Sequence, residues 1–476
     1  MSIKSNKSII NATLLWMINL FFISSFLIWI SQNWSNNQVI SLYNKKLFPW
    51  VCGLMLVQIL SFRIKKVPLY DFGIWFVGVS YLFMFGYMFR DIFGLESVLI
   101  WNPIVNYANK ELFHTYIFVI LSLELFTIGY LAVYKKNNIL KLINFKEIYP
   151  DIKIYNTGLI LLLIGGISKI LNDITVLLFM QSANTYSAYS DAVVSGIMDD
   201  FACLMLPGIF FIFFSGCIKE KKKTLIFIII LAYLSVIMVL TGSRKTQIFS
   251  ILSLFLGYIY SSEKKQFSLL KIISCGFLGL VILNVIITVR DYRFNLREIG
   301  PVIIEKIFSF DLFGNILGEI LAETGITLLS VASIITLIPS VIPYQYGLTY
   351  LRTLPSFLPI GWLVGDFFNL ASSTYVVNTY INIPAGSSFI GDLYWNWGVL
   401  GGLVASMVSG VLFSKFLQIK CNSNIRKELA LYFSIFAQLI MLVRSEVIDV
   451  YRPIIMIIIA VYVLEKLNFI KWRIKI

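Results

Sequence analysis

Twelve apolar runs decide what this chain can fold into. They lie near residues 9–30, 46–62, 69–89, 112–134, 154–171, 200–218, 224–240, 246–261, 268–289, 389–413, 428–443 and 453–467. In hydrocarbon every backbone N–H and C=O must find its partner within the chain, so runs of about 17–25 residues cross as helices. The expected fold is therefore all-α: a polytopic membrane protein of about 12 transmembrane helices, one integral membrane domain over residues 1–476. With 58% hydrophobic and 13% charged residues, the chain has too little polar surface for a soluble globule. That excludes a soluble enzyme, a disordered protein and a fibrous repeat. The first run is too long for a signal-peptide core and lacks an Ala-x-Ala site, so it counts as a span.

The net charge of +14 does not point to nucleic acid, because the basic residues are spread over many short segments. Their placement follows membrane topology. With the N-terminus inside and the spans alternating, 22 of 28 lysines fall on the cytoplasmic side. Both termini are then cytoplasmic. Arginine behaves differently, with 8 of 11 on the outer side: Arg90, Arg244, Arg290, Arg293, Arg297, Arg352, Arg444 and Arg452. Topology alone would place arginine with lysine. A planar guanidinium suits phosphate and carboxylate recognition, so the outer face reads as built to hold an anion. The competing account pairs each outer arginine with an outer acid such as Asp91, Asp173, Asp199, Asp200 or Glu298.

One outer segment, residues 290–388, is far longer than the rest, and long loops in compact structures are usually functional. It is not hydrophilic. It holds the apolar run Ile326–Ile342, interrupted by Pro339, and the Pro-broken LPSFLPIGW. The charge bias downstream favours re-entrant or surface-lying helices for these stretches, since a full span at 316–338 would invert the topology.

Several segments carry candidate chemistry. In RDYRFNLRE, a helix would place Arg290, Arg293 and Arg297 on one face, as a pyrophosphate clamp or as a snorkelling helix end. TGSRKTQ, Thr241–Gln247, is a tight outer turn with Arg244 and Lys245 at its tip. Glu319 and Glu323, four apart in apolar sequence, are candidates for a general acid or base, or for partners of outer arginines. Asp392 opens a span together with Tyr394, Trp395, Asn396 and Trp397, and an acid there is a functional candidate by default. Gly398, Gly401 and Gly402 permit close helix approach. The last outer loop holds Arg444, Glu446, Asp449, Tyr451 and Arg452, either a charged ring or a structural ion-pair loop. Lone His114 reads as structural. The five cysteines form no CxxC pair, so no disulfide framework or metal site is expected. No Walker A, HExxH or GxSxG occurs, which leaves ATP-driven transport, zinc proteolysis and serine-hydrolase chemistry unsupported.

The order of these segments resembles the bacterial oligosaccharide repeat-unit polymerases, the O-antigen polymerases of Wzy type. The resemblance runs over roughly residues 110–465 and rests on TGSRKTQ, RDYRF, LGEILAETG, IPSVIPYQYGLTYLRTLPSFLP, GSSFIGDLYWNWGVLGG and the late Arg444. Where family members often show Glu and Asn-Phe-Gly, this chain has Asp392 and Asn396-Trp397-Gly398. The resemblance implies a GT-C-like membrane glycosyltransferase of the bacterial cytoplasmic membrane. It would join undecaprenyl-pyrophosphate-linked oligosaccharide units into O-antigen or capsule at the outer face. Arg244, Arg290, Arg293, Arg352 and Arg444, with Tyr394, would hold the pyrophosphate-linked substrate. Asp392, Glu319 or Glu323 would serve as base. No metal or cofactor is implied, and a chain-length regulator and a flippase would be partners. The alternatives are a flippase for lipid-linked oligosaccharide and a related ligase. No internal repeat appears for the first, and no His follows residue 114 for the second.

Overall fold

The computed structural model describes residues 2–34, 39–95, 108–135, 150–183, 196–241, 245–262, 312–358, 361–381, 386–418 and 424–466. The described residues are helical throughout, without strands. In chain order the helices are α1 (Ser2–Asn33), α2 (Ile40–Ile64), α3 (Phe72–Ile92), α4 (Asn109–Val133), α5 (Ile152–Ala183), α6 (Gly196–Ala202), α7 (Met205–Ser215), α8 (Glu220–Thr241), α9 (Lys245–Ser261), α10 (Leu312–Leu337), α11 (Leu348–Thr353), α12 (Gly361–Asn369), α13 (Ser373–Asn378), α14 (Phe389–Phe416), α15 (Ile425–Leu439) and α16 (Val447–Lys466). Ten helical segments among the described residues are long and apolar enough to cross a membrane. Nine coincide with expected runs; the tenth, Leu317–Leu337, lies in the long outer segment. Of the remaining expected runs, 246–261 forms the shorter apolar helix Thr246–Ser261, 428–443 lies in α15 and the 3-10 turn after it, and 268–289 is outside the described residues.

Apolar side chains give little net attraction between helices in lipid, so close contact depends on small residues. The tightest pair is α4 with α14. Phe118 meets Gly402, Ser406 donates to the carbonyl of Ser122, and Gly410 meets Phe126, all at the constant offset of 284 residues. A constant offset means the two helices run in the same direction. Gly402, Ser406 and Gly410 recur every fourth residue and form one face; Gly401, which the sequence grouped with Gly402, packs on its own Trp397 instead. Gly86 of α3 and Gly325 of α10 form a second close approach, and Gly158, Gly165 and Gly208 a third, between α5 and α7. A Cβ at Gly129 or Gly410 would fall on the backbone of the opposite helix.

One helix is bent back on itself and the chain turns back after another, and both features shape the site. In α14 the helix breaks at Gly398, whose φ of 65° and ψ of −160° are accessible essentially only to glycine. Residues 389–397 therefore double back along 399–416: the Leu393 carbonyl lies against Gly402, and Phe389 reaches Phe413 with ring centroids 5.8 Å apart. The second case is α10. It meets α3 through Gly325 beside Tyr87, and its Ile334 packs on Gly391, deeper along the doubled-back arm. The chain then returns to the Gly398 end, where the backbone N–H groups of Gln345 and Tyr346 donate to the carbonyls of Trp395 and Asn396. Helix α10 thus enters and leaves by the same end. The helix alone is long enough to span.

The segments expected on the cytoplasmic side gather at one end, here called the lower end. Asp71 accepts from Tyr130, the Phe72 N–H donates to Tyr432, Asp151 N–H donates to the Ser215 carbonyl, and Arg426 donates to the Phe214 carbonyl. The upper end carries Asn44 with Asp91, the Ile40 N–H with Asn109, and Arg452 with Asp200. His114 stacks on Trp34 at 4.1 Å between centroids, a packing role.

Candidate functional site at the upper end

Four of the outer arginines lie among the described residues, and they separate into two kinds. Arg452 pairs with Asp200 at 2.6 Å. The other three show no acidic partner among the described residues. Arg352 on α11 donates to the side-chain oxygen of Gln345 at 3.0 Å and to the Leu370 carbonyl at 3.2 Å, both neutral. Arg444 lies 5.9 Å from the Phe83 ring centre, and Arg90 lies 5.2 Å from that of Tyr87. Phe83 and Tyr87 are one turn apart on α3, so the two guanidiniums stand along one face of that helix. A ring face orients a cation without cancelling its charge. Simple pairing with outer acids therefore accounts for one of these four, and three keep a charge that can attract an anion. Arg244, Arg290 and Arg293 lie outside the described residues.

The last outer loop of the sequence reading is not a surface loop. Arg444 ends a 3-10 turn, Ser445 and Glu446 are buried, and α16 starts directly after them. There Glu446 meets Asp392, which stands on the doubled-back arm about 9 Å, six residues, from the Gly398 turn. Asp392 accepts from the Ser373 hydroxyl at 2.8 Å and from the Val447 N–H at 3.0 Å. Glu446 accepts from the Ser372 hydroxyl, the Ser373 N–H and the Thr374 N–H. Ser373 also contacts Ser387. Each carboxylate covers the amide groups at the start of a helix: Glu446 covers α13 and Asp392 covers α16. Exposed backbone donors and the helix dipole favour a negative group there. The two acids are 4% and 3% exposed, and neither lines a described cavity. Their geometry is that of a clasp joining α13, α14 and α16.

The remaining sequence candidates sit apart from this clasp. Glu319 and Glu323 are on α10, near the level where Gly325 meets α3 or above it. Glu323 is close enough to Tyr87 to act on it electrostatically, as is Arg90. Tyr394 is buried, edge-on to Phe118 at 5.3 Å and beside Tyr344. Asn396 ties the arm to the returning chain by accepting from the Gly347 N–H and the Thr349 hydroxyl.

A cavity of about 380 Å³ with a partly polar wall opens in the upper half of the bundle among α5, α6, α7, α8, α9, α15 and α16. A second of about 290 Å³ adjoins it and shares Asp199, Cys203, Asp449 and Pro453. Lys169 and Asp173 of α5 pair in its wall, and Asp173 also accepts from Tyr233 of α8. Sequence reasoning missed this cavity because it treated span 154–171 as uniformly apolar. The signal was present: Lys169, Asn172 and Asp173 fall on one helical face at i, i+3 and i+4.

A model of the family described as O-antigen polysaccharide polymerase Wzy matches residues 13–471. No curated protein and no solved structure matches the chain. The match spans nearly every helix described above, including α10, the broken α14 and the clasp. The chain is a multi-pass membrane protein and belongs to the O-antigen polysaccharide polymerase Wzy family.

Proposed function

We propose that this protein polymerises undecaprenyl-pyrophosphate-linked oligosaccharide repeat units at its upper end, facing outward from the bacterial cytoplasmic membrane, with both termini inside and a GT-C-like arrangement of about 12 spans. The observation that carries this reading is the family match over residues 13–471. The three upper arginines that have no acidic partner among the described residues agree with it.

In the reaction, a hydroxyl oxygen of the incoming unit bonds to the anomeric carbon of the growing chain. The bond from that carbon to the pyrophosphate oxygen breaks, and the lipid pyrophosphate leaves with the electron pair. The hydroxyl proton passes to a base. Arg352 and Arg444, with Arg244, Arg290 and Arg293, stabilise the charge that grows on the leaving pyrophosphate. Glu319 and Glu323, on the upper part of α10, are the carboxylates assigned as base. Asp392 positions α13 and α16, and Tyr394 packs the arm against α4. A chain-length regulator and a flippase act beside it.

The test is a strain lacking this protein, with its surface glycan resolved by length on a gel. Accumulation of single repeat units is expected. Loss of every surface unit would instead identify a flippase, and full-length glycan left unattached to its final carrier would identify a ligase.

A further inference from the structure

The polar cavity is not explained by pyrophosphate. Among the described residues its two adjoining parts are lined by four carboxylates, Asp173, Asp199, Asp200 and Asp449, against two cations, Lys169 and Arg452. Both cations are already held, Lys169 by Asp173 and Arg452 by Asp200. A second anion entering here would meet net negative charge. The rest of the wall mixes apolar side chains such as Met205, Leu206 and Leu234 with the hydroxyls and amides of Thr241, Thr246, Gln247, Ser250 and Gln438. Carboxylates and amides set around a concave space suit vicinal hydroxyls: both accept the hydroxyl protons, and the amide NH2 groups donate to the hydroxyl oxygens.

One wall residue shows directly that a partner is wanting. Asn172 of α5 is 6% exposed and lines the cavity. Its amide nitrogen faces Asp199 at the outer limit of hydrogen bonding, 3.5 Å, and its carbonyl oxygen has no hydrogen-bond partner. Leaving a buried acceptor unsatisfied costs free energy, so natural structures seldom do it without a reason. A hydroxyl donated from within the cavity would satisfy that oxygen, and the same sugar could engage Asp199 opposite.

We propose that this cavity is a subsite for an uncharged part of the glycan, a sugar bearing vicinal hydroxyls and no acidic group, held by Asn172 and Asp199. The proposal rests on the polymerase reading and extends it. Among the described residues it divides two tasks: Arg352 and Arg444 face the anionic carrier, and the carboxylate-bearing cavity takes sugar. Asp449, on the first turn of α16, lines the cavity three residues after Glu446, so the subsite adjoins the clasp.

The test uses the full-length protein in lipid nanodiscs. The probe is the oligosaccharide repeat unit released from its lipid by mild acid and stripped of phosphate, with binding followed by saturation-transfer NMR. Binding is expected to weaken about tenfold in Asn172→Leu, and inorganic pyrophosphate is expected not to displace the glycan. If Asn172→Leu fails to reach the membrane, Asp199→Asn, which keeps side-chain volume, should weaken binding about threefold. Wild-type affinity in either folded variant, or displacement by pyrophosphate, overturns the subsite. The two readings fail separately. A deletion strain that stops at single units, with variants that bind glycan normally, removes the subsite and keeps the polymerase. A deletion strain that loses all surface units, with binding that depends on Asn172, does the reverse.

Discussion

Replacing Asp392 by alanine and by asparagine distinguishes a clasp from a catalytic base. Alanine removes the acceptor for two donors, the Ser373 hydroxyl at 2.8 Å and the Val447 N–H at 3.0 Å. A buried donor left without its acceptor costs about 1–3 kcal/mol, so Asp392→Ala, which strands two, should cost roughly 2–6 kcal/mol. Asparagine keeps one oxygen for the Val447 N–H, and its amide can donate to Ser373 or Ser387, whose oxygens accept. It also removes like charge from beside Glu446. Its cost should be near that of a single ordinary hydrogen bond, about 1 kcal/mol. The assay is thermal unfolding in detergent alongside glycan length in the complemented deletion strain. Asp392→Ala should unfold well below wild type and give little polymer, whereas Asp392→Asn should stay close to wild type in both. A base cannot be an amide, so an Asp392→Asn protein that is stable and abundant but makes no polymer would refute the clasp and restore Asp392 as a proton acceptor.

Three further outcomes follow from the same geometry. Arg444→Ala, which removes a guanidinium with no acidic partner among the described residues, should lower the polymerisation rate about 10²- to 10³-fold at unchanged membrane abundance; a normal ladder of glycan lengths would contradict the anion role. Gly398→Ala forces a Cβ onto φ 65°, ψ −160° and toward Tyr344. It should cost about 1–3 kcal/mol and reduce polymer length more than abundance, checked by pairing the glycan gel with immunoblotting. At the lower end, burial pushes the Asp71 carboxyl up to about 6, against the opposing hydrogen bonds from Tyr130 and Gly73. The folded state then holds a proton that the unfolded state releases near pH 4, so stability should fall by roughly 3 kcal/mol as pH rises from about 4 to about 6 and level off above that. Thermal unfolding across that range should show the slope, and Asp71→Asn should abolish it.

Much of the fold was legible because hydrocarbon leaves a chain few options. Long apolar runs had to be helices. The doubled-back arm was not readable. A single glycine within a run at 389–413 looks like a place for helix contact, and only the backbone shows that Gly398 adopts a conformation that turns the chain around. That turn is why Asp392 was misread as standing at the mouth of a span: it is carried into the bundle instead. Glu446 and Arg444 were placed on a surface loop for the same reason, because sequence reports polarity and not depth. The cavity was missed on different grounds. Its polar wall is assembled from one to three residues of each of six helices, and each contribution is too small to interrupt an apolar run. Convergence of that kind is a property of packing, so α5 showed only the spacing of Lys169, Asn172 and Asp173, and the helices that complete the cavity had to be seen in place.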